Sequence, residues 1–183
     1  VTDVKEVTKH DEIMEGRVKT LHPAIHAGIL ARRDNEMDLA TLESHGYGTI
    51  DLVAVNLYPF EETVSDSSVG MSQAMAQVDV GGPTMLRAAA KNHKDVWVVV
   101  DPRDYGKLLE SIRLGQEKTL EVRQDLARKV FDHLSNYDRA ISGYLDEDAL
   151  DKGVYPLKMS LVGNLAETLR YGENPTQKAA FYS

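Results

Sequence analysis

The sequence contains no cysteine, and this absence excludes several kinds of chemistry at once. Disulfide bonds, thiolate metal ligands and cysteine nucleophiles are all ruled out, which fits a reducing compartment such as the cytoplasm. The longest apolar run, at 96–100, falls far short of the roughly 20 residues that a membrane-spanning helix needs. No signal peptide is visible, and because the pattern opens abruptly at Val1 we expect an N-terminal piece to be missing. We therefore predict a cytoplasmic protein with no membrane partner.

An excess of positive charge is also lacking. The 183 residues include 21 Lys and Arg against 29 Asp and Glu, which gives a formal net charge of -8. A chain this acidic has no general attraction to nucleic acid, so its basic clusters must act locally. With 42% hydrophobic and 27% charged residues, the chain fits one soluble globular domain, or one domain and a fragment of another.

Two short runs, at 50–58 and 96–100, predict neighbouring β-strands. Both are nearly continuous apolar runs rich in branched side chains, the pattern of strands that are buried on both faces of a parallel sheet. Helical patterns follow at 84–93, 103–114 and 119–145. This alternation predicts an α/β layered fold with a mostly parallel central sheet and right-handed crossovers.

The longest helical pattern, at 119–145, is amphipathic. Its predicted apolar side carries Leu120, Leu126, Val130, Phe131, Leu134, Ile141 and Tyr144. The stretch at 154–167 that follows is weakly patterned and is typical of a linker.

Basic side chains crowd into the glycine-flanked stretch "GRVKTLHPAIHAG". They are Arg17, Lys19 and His22. In an acidic chain, such a local cluster predicts a site for a phosphate or a carbonyl oxygen. His22 and His26 stand four residues apart, but Pro23 disfavours the helix that would align them and no third ligand is evident. We therefore predict no metal site.

A second stretch, "QVDVGGPTMLRAAAKNH", predicts a helix whose entry can bind an anion. Gly81 and Gly82 let another group approach the backbone closely, and Pro83 suits the start of a helix, where free N–H groups favour an anion or oxyanion. Asp79 precedes the entry, and Lys91 stands about 15 Å further along a straight helix. A nucleotide-sized substrate could bridge the two, or the loop that holds Asp79 could fold back along the helix. Lys91 could also simply complement the helix dipole.

Asn56 and Tyr58 follow the first β-rich run. Ligands of open parallel sheets bind beyond the carboxyl ends of the strands, where these two side chains can donate and accept hydrogen bonds. A tyrosine ring that merely packs against the end of the sheet explains the same pattern.

Four blocks of the sequence, in this order, resemble the PurH family of bifunctional purine biosynthesis proteins. The blocks are "GRVKTLHPAIHAGILAR", "VAVNLYPF", "VDVGGPTMLRAAAKNH" and "LRYGENPTQKAAFY". That family joins an IMP cyclohydrolase domain to an AICAR transformylase domain. The resemblance implies a methylglyoxal-synthase-like α/β fold whose N-terminal strands, with their phosphate-binding loops, are missing here. It divides the chain into an incomplete cyclohydrolase domain at 1–153, a linker at 154–167 and the start of the transformylase domain at 168–183.

The resemblance also implies a reaction, in which formyl-AICAR (FAICAR) closes to IMP with loss of water and without a metal or organic cofactor. The implied catalytic residues are Lys19, Tyr58, Asp79 and Lys91, and the implied substrate-binding residues are Arg17, Thr20, Asn56, Gly81, Gly82, Arg170 and Tyr171. Asp79, poised by Lys91, would accept a proton from the attacking nitrogen. Lys19 and Tyr58 would hold the developing oxyanion.

The family's second activity needs 10-formyltetrahydrofolate and residues downstream of Ser183, so we expect it only in a longer parent protein. Thr176 stands where the family usually has His in the "RYGENPTQ" motif. The resemblance further implies a homodimer that acts on a small-molecule nucleotide.

Two other functional classes stay open. A nucleotide-sensing module of the same fold, as in carbamoyl-phosphate synthetases, would need anion-binding loops but not the four catalytic residues. A structural fragment would only dimerise, through the helix predicted at 119–145. Turnover of FAICAR to IMP separates both classes from an enzyme.

Overall fold

A computed structural model describes residues 1–115, 119–151, 155, 161–174 and 176–183. The chain divides into two compact units, Val1–Tyr144 and Leu145–Ser183. The helices are α1 Val4–Thr8, α2 Pro23–Leu30, α3 Glu36–His45, α4 Phe60–Val64, α5 Met71–Ala76, α6 Gly81–Lys91, α7 Tyr105–Leu114 and α8 Leu120–Asp151, and a 3₁₀ turn at Pro102–Asp104 precedes α7. The strands are β1 Leu52–Ala54, β2 Trp97–Val99, β3 Leu165–Leu169 and β4 Ala179–Tyr182.

The two β-rich runs form a parallel pair, as the sequence predicts. Leu52 pairs with Trp97, Val53 with Val98 and Ala54 with Val99. Backbone bonds at both ends extend the pairing: the N–H of Trp97 donates to Asp51 O at 2.9 Å, and that of Val55 donates to Val99 O at 3.2 Å. Helix α6 lies between the strands in sequence and packs on both of them. The described part of unit Val1–Tyr144 is therefore an α/β arrangement with a parallel sheet.

Burial on both faces holds for β2 but not for β1. All three residues of β2 are buried, whereas in β1 only Val53 is buried and Leu52 is 40% exposed. Trp97 and Val99 pack against α7 and α8 through Leu108 and Leu126. No such cover lies over Leu52 in the described residues, although it pairs with Trp97 and shares its face. The regular strand ends at Ala54, with one further backbone bond from Val55, so the predicted strand at 50–58 shrinks to three residues.

Helix α6 begins three residues and ends two residues earlier than the predicted range of 84–93. It begins at Gly81 and ends at Lys91, so Pro83 lies inside its start as predicted, but as the third helical residue rather than the first. Proline is tolerated there because the first N–H groups of a helix have no partner inside the helix. The face that α6 turns to the sheet is rich in alanine, and Leu86, Ala89 and Ala90 are almost fully buried.

Helices α2 and α6 run in the same direction, because the same ends of the two helices meet. Near their C-terminal ends, the buried Asn92 side chain donates to Ile29 O at 2.8 Å and to Ala31 O at 3.1 Å. Near their N-terminal ends, Thr20 approaches Gly81. This packing brings the basic turn that precedes α2 to the entry of α6.

The long helix α8 confirms the amphipathic pattern at 119–145 but corrects two of its seven side chains. Leu126, Val130 and Leu134 are almost fully buried, and Ile141 and Tyr144 are partly buried. Leu120 and Phe131 are exposed. At about 100° per residue, Phe131 points a quarter-turn or more away from Val130, outside the apolar stripe.

In the second unit, β3 and β4 form an antiparallel pair in which Leu165 lies opposite Tyr182 and Leu169 opposite Ala179. The linker predicted at 154–167 lies partly outside the described residues, and its last three residues belong to β3. Among the helices of the described residues, none is long and apolar enough to span a membrane.

Candidate active site at the entry of helix α6

The carboxylate of Asp79 closes the first turn of α6. Its Oδ1 accepts a hydrogen bond from the N–H of Gly82 at 2.8 Å, while the Thr84 hydroxyl donates to Gly81 O at 2.8 Å. Negative charge is favoured at this position, because unpaired N–H groups and the positive end of the helix dipole meet there. The second oxygen, Oδ2, accepts no hydrogen bond among the described residues and is available to a ligand.

Two glycines allow three segments to meet at this entry. A β-carbon on Gly82 would lie 2.5 Å from Asp79 Oδ2 and 2.9 Å from Leu57 Cδ2. A β-carbon on Gly81 would lie 2.7 Å from the Thr20 hydroxyl oxygen. Each distance is shorter than a non-bonded contact of a carbon atom permits. Glycine at both positions therefore allows these side chains to approach the backbone of α6 as closely as they do. The structure therefore brings the segments around Thr20, Leu57 and Asp79 together.

Lys19 lies next to Thr20, directly after a tight turn that an isolated antiparallel bridge closes. The N–H of Ile13 donates to Val18 O at 3.2 Å, and the N–H of Val18 donates to Ile13 O at 3.3 Å. The Lys19 ammonium pairs with the Glu12 carboxylate across this turn at 3.2 Å. That bond and the charge of Glu12 raise the pKa of Lys19 above 10.5, and Tyr58 contributes to the same shift. Lys19 is therefore a cation and a hydrogen-bond donor at neutral pH, not a base.

Arg17 belongs to this turn. Its backbone N–H donates to Met14 O at 3.2 Å, and its side chain is exposed. Nearby, the His22 ring accepts from the N–H of Ala24 at 3.1 Å and thereby caps α2. The cap gives His22 a structural role that the cluster of basic residues did not predict. No group of three metal-ligating side chains occurs within the described residues.

Tyr58 and Asn56 lie in the extended segment between β1 and α4, and both are exposed. The side chain of Tyr58 is 57% exposed. The carbonyl of Tyr58 accepts from the N–H of Phe60 at 2.8 Å, and the buried Phe60 ring anchors this segment to the core. This exposure does not fit a tyrosine ring that merely packs against the end of the sheet. The side chain is accessible to a ligand.

Lys91 is a predicted catalytic residue that the structure does not bring to Asp79. It is the last residue of α6 and is exposed, about 15 Å along the helix from Gly81. The loop that holds Asp79 caps the first turn of α6 and does not fold back along it. The position of Lys91 suits the negative end of the helix dipole, and its catalytic role stays a prediction.

Two residues near the site were not predicted. Glu12 pairs with Lys19, and Tyr137 of α8 contacts the backbone of Asp79. The helical spacing of Tyr137 from Leu134 and Tyr144 could have placed it on the buried side of α8. Its hydroxyl contact could not be predicted, since it joins residues 58 positions apart.

Arg170 and Tyr171 belong to the second unit, immediately after β3, and both are exposed. The turn that follows them is closed by the N–H of Gly172, which donates to Gln177 O at 3.0 Å. Their predicted contact with AICAR stays a prediction.

Comparison with protein families matches the chain in two consecutive parts. Residues 1–84 match the MGS-like domain, and residues 89–183 match the family described as AICARFT/IMPCHase bienzyme. The chain belongs to this bienzyme family. The two matches meet inside α6, so the boundary predicted at residue 153 stays a prediction.

Curated members of the bienzyme family match the chain over its whole length. The bifunctional purine biosynthesis protein PurH of Lysinibacillus sphaericus is 50% identical over 182 residues, and that of Listeria monocytogenes is 49% identical over 183. The alignments cover all of this chain but only 35% and 36% of those proteins. The chain thus spans about a third of the length of these relatives.

A solved structure gives a further match. The crystal structure of ForH is 34% identical to the chain, with a TM-score of 0.66 over 78% of this chain and 74% of ForH. The chain therefore shares its fold with ForH over most of its length, and the MGS-like assignment of residues 1–84 rests on the family match.

Proposed function

We propose that this chain carries the centre that closes FAICAR to IMP in purine biosynthesis. The observation that supports this most directly is the meeting of Thr20, Leu57 and Asp79 at the two glycines of α6. It gathers segments that carry a cation, a phenol and a carboxylate, and an IMP cyclohydrolase needs such groups. Membership of the bienzyme family and the printed names of the curated relatives support a substrate from purine biosynthesis, and FAICAR is the one that we propose.

The ring closure needs a proton acceptor and an oxyanion donor. The carboxamide nitrogen of FAICAR attacks the formyl carbon, and Asp79 Oδ2 accepts one N–H proton from that nitrogen. Lys19, Tyr58 and the N–H groups at the start of α6 stabilise the formyl oxygen as it gains negative charge. This oxygen leaves as water, with one proton from the carboxamide nitrogen and one from the formamide nitrogen. The closure proposed here uses no metal or organic cofactor.

Several parts of the proposal concern the full-length protein. We expect it to be a cytoplasmic homodimer and to transfer a formyl group from 10-formyltetrahydrofolate, with Arg170 and Tyr171 helping to bind AICAR. The preceding strands and their loops, which the family resemblance implies for binding of the 5′-phosphate, stay a prediction.

The substitution Asp79→Asn tests the proton acceptor. The amide oxygen of Asn can still accept from the N–H of Gly82, so the cap of α6 is kept while the carboxylate is lost. We expect kcat for conversion of FAICAR to IMP, followed by absorbance in the full-length protein, to fall about 10²–10⁴-fold. The pH dependence of the remaining activity should also change.

The formyl transfer of the same protein is the control for folding, because its groups lie elsewhere. An equal loss of both activities would indicate misfolding, and an unchanged kcat would remove Asp79 from the mechanism. Binding of IMP without any turnover by the unmodified protein would instead support a nucleotide-binding module.

A further inference from the structure

Tyr137 lies on the buried side of α8, directly behind the entry of α6. Its side chain is only 8% exposed and packs in a cluster with Phe60 and Ala74. The next residue, Asp138, pairs with Arg87 of α6 at 2.7 Å, so α8 is attached to α6 as well. A tyrosine hydroxyl that is this deeply buried requires a hydrogen-bond partner.

The hydroxyl of Tyr137 finds its partners in the backbone of the loop that carries Asp79. It accepts a hydrogen bond from the N–H of Asp79 at 2.8 Å and donates a longer one, of 3.4 Å, to Gln77 O. Burial raises the pKa of Tyr137, so the hydroxyl keeps its proton throughout the neutral range. The contact therefore holds the backbone of Asp79 and does not engage its carboxylate, whose Oδ2 accepts no hydrogen bond among the described residues.

The ring of Tyr137 reaches the second catalytic segment. It stands edge-to-face on Phe60, with 6.4 Å between the ring centroids and an angle of 72°. Phe60 in turn donates its N–H to the carbonyl of Tyr58 at 2.8 Å. One side chain of α8 thus contacts the loop of Asp79 directly and the segment of Tyr58 through Phe60.

We infer that Tyr137 is a positioning residue for the proposed ring closure, since its hydroxyl holds Asp79 and its ring holds the segment of Tyr58. The inference rests on the proposed function. Tyr137 touches no substrate; it sets the location of groups that do. Because a displacement of about 1 Å at a reacting group can cost about 10²-fold in rate, a lost anchor should act on kcat rather than on binding.

Tyr137→Phe in the full-length protein tests the inference, because it removes the hydroxyl and keeps the ring on Phe60. We expect kcat for FAICAR closure to fall about 10–100-fold, with KM for FAICAR changed less than threefold. Tyr144→Phe is the matched control. Tyr144 lies on the same helix and stands edge-to-face on Phe60 at 5.8 Å, but its hydroxyl makes no hydrogen bond among the described residues. The kcat of Tyr144→Phe should stay at the wild-type value.

Amide hydrogen exchange supplies a readout that does not depend on activity. The peptide that contains residues 77–82 should exchange several-fold faster in Tyr137→Phe and at the wild-type rate in Tyr144→Phe. Faster exchange with an unchanged kcat would overturn the positioning role, and so would an equal fall of kcat in both variants. If the wild-type protein does not convert FAICAR, the proposed function fails, while the exchange rates still decide whether the hydroxyl holds this loop.

Discussion

At Asp79 the two carboxylate oxygens have different surroundings. Oδ1 caps α6 through the N–H of Gly82, which would by itself explain an aspartate at this position. Oδ2 lies beside the same glycine without a hydrogen bond among the described residues. Since the cap needs only one oxygen, a helix-capping role does not argue against a catalytic one. The two roles can be separated by a substitution that keeps the acceptor and removes the charge.

Lys19 and Arg17 stand two residues apart but have different surroundings. The Lys19 ammonium pairs with Glu12 and follows the turn, next to the Thr20 that approaches α6, whereas Arg17 lies within the turn and is exposed. We therefore expect Lys19→Ala to lower kcat for FAICAR closure about 10²–10³-fold, with little change in the affinity for IMP. Arg17→Ala should instead raise KM, with a smaller effect on kcat. Steady-state kinetics of the full-length protein measure both.

Loss of the ion pair itself does not explain such a result. The side chains of Lys19 and Glu12 are 46% and 56% exposed, and exposed pairs of this kind contribute little to folding because water screens them. Formyl transfer should survive in both variants. A Lys19→Ala protein with normal kcat would show that this ammonium does not contact the transition state.

At the level of elements, α6 and α8 contain glycines with opposite surroundings. Gly82 is buried between Asp79 and Leu57, whereas a β-carbon on Gly143 of α8 would meet nothing within 4 Å. We expect Gly82→Ala to lower the free energy of unfolding by about 1–3 kcal/mol through overpacking, and to lower kcat by displacing Asp79. Gly143→Ala should raise the free energy of unfolding by about 0.5–1 kcal/mol, because alanine is the better helix former. Urea denaturation measures both changes.

The sign of the two effects is the decisive result. If Gly82→Ala were as stable and active as the wild type, the close approach of Asp79 to α6 would be wrong. If Gly143→Ala were destabilised, its open surroundings on α8 would be wrong instead.

The elements that the sequence predicts well are those with a strong local pattern. The parallel pairing of β1 with β2, the helix between them and the long helix α8 all follow from apolar periodicity and from the glycine–proline entry. The exposure of Leu52 could not be predicted, because it depends on which helices cover that face of the sheet. The partners Glu12 and Tyr137 escaped prediction for a related reason, since each acts on its neighbour only after the turn or the fold has formed.

At the scale of the whole molecule, the chain spans about a third of the length of its curated relatives. It contains two compact units. The first unit carries the residues proposed for ring closure, and the second carries Arg170 and Tyr171. This division explains why substitutions at the entry of α6 should leave formyl transfer intact. It also means that a loss of global stability must be measured separately from a loss of either activity.

Global stability should depend on pH through His26 of α2. Its Nε2 is buried without a hydrogen-bond partner among the described residues, and burial lowers the pKa of the ring below 6.5. The unfolded chain therefore binds the proton more readily than the folded one. The contribution of His26 to the free energy of unfolding is complete above pH 6.5. It is lost as the pH falls through 6.5 toward the lower pKa of the folded state.

His26→Gln should remove this contribution, because glutamine stays neutral. We expect the urea midpoint of the wild-type protein to fall between pH 7.5 and 5.5, and that of His26→Gln to fall less steeply over the same interval. His133→Gln is the matched control for loss of a histidine, since His133 is exposed on α8. Identical slopes in all three proteins would show that His26 is as accessible to protons in the folded chain as in the unfolded one.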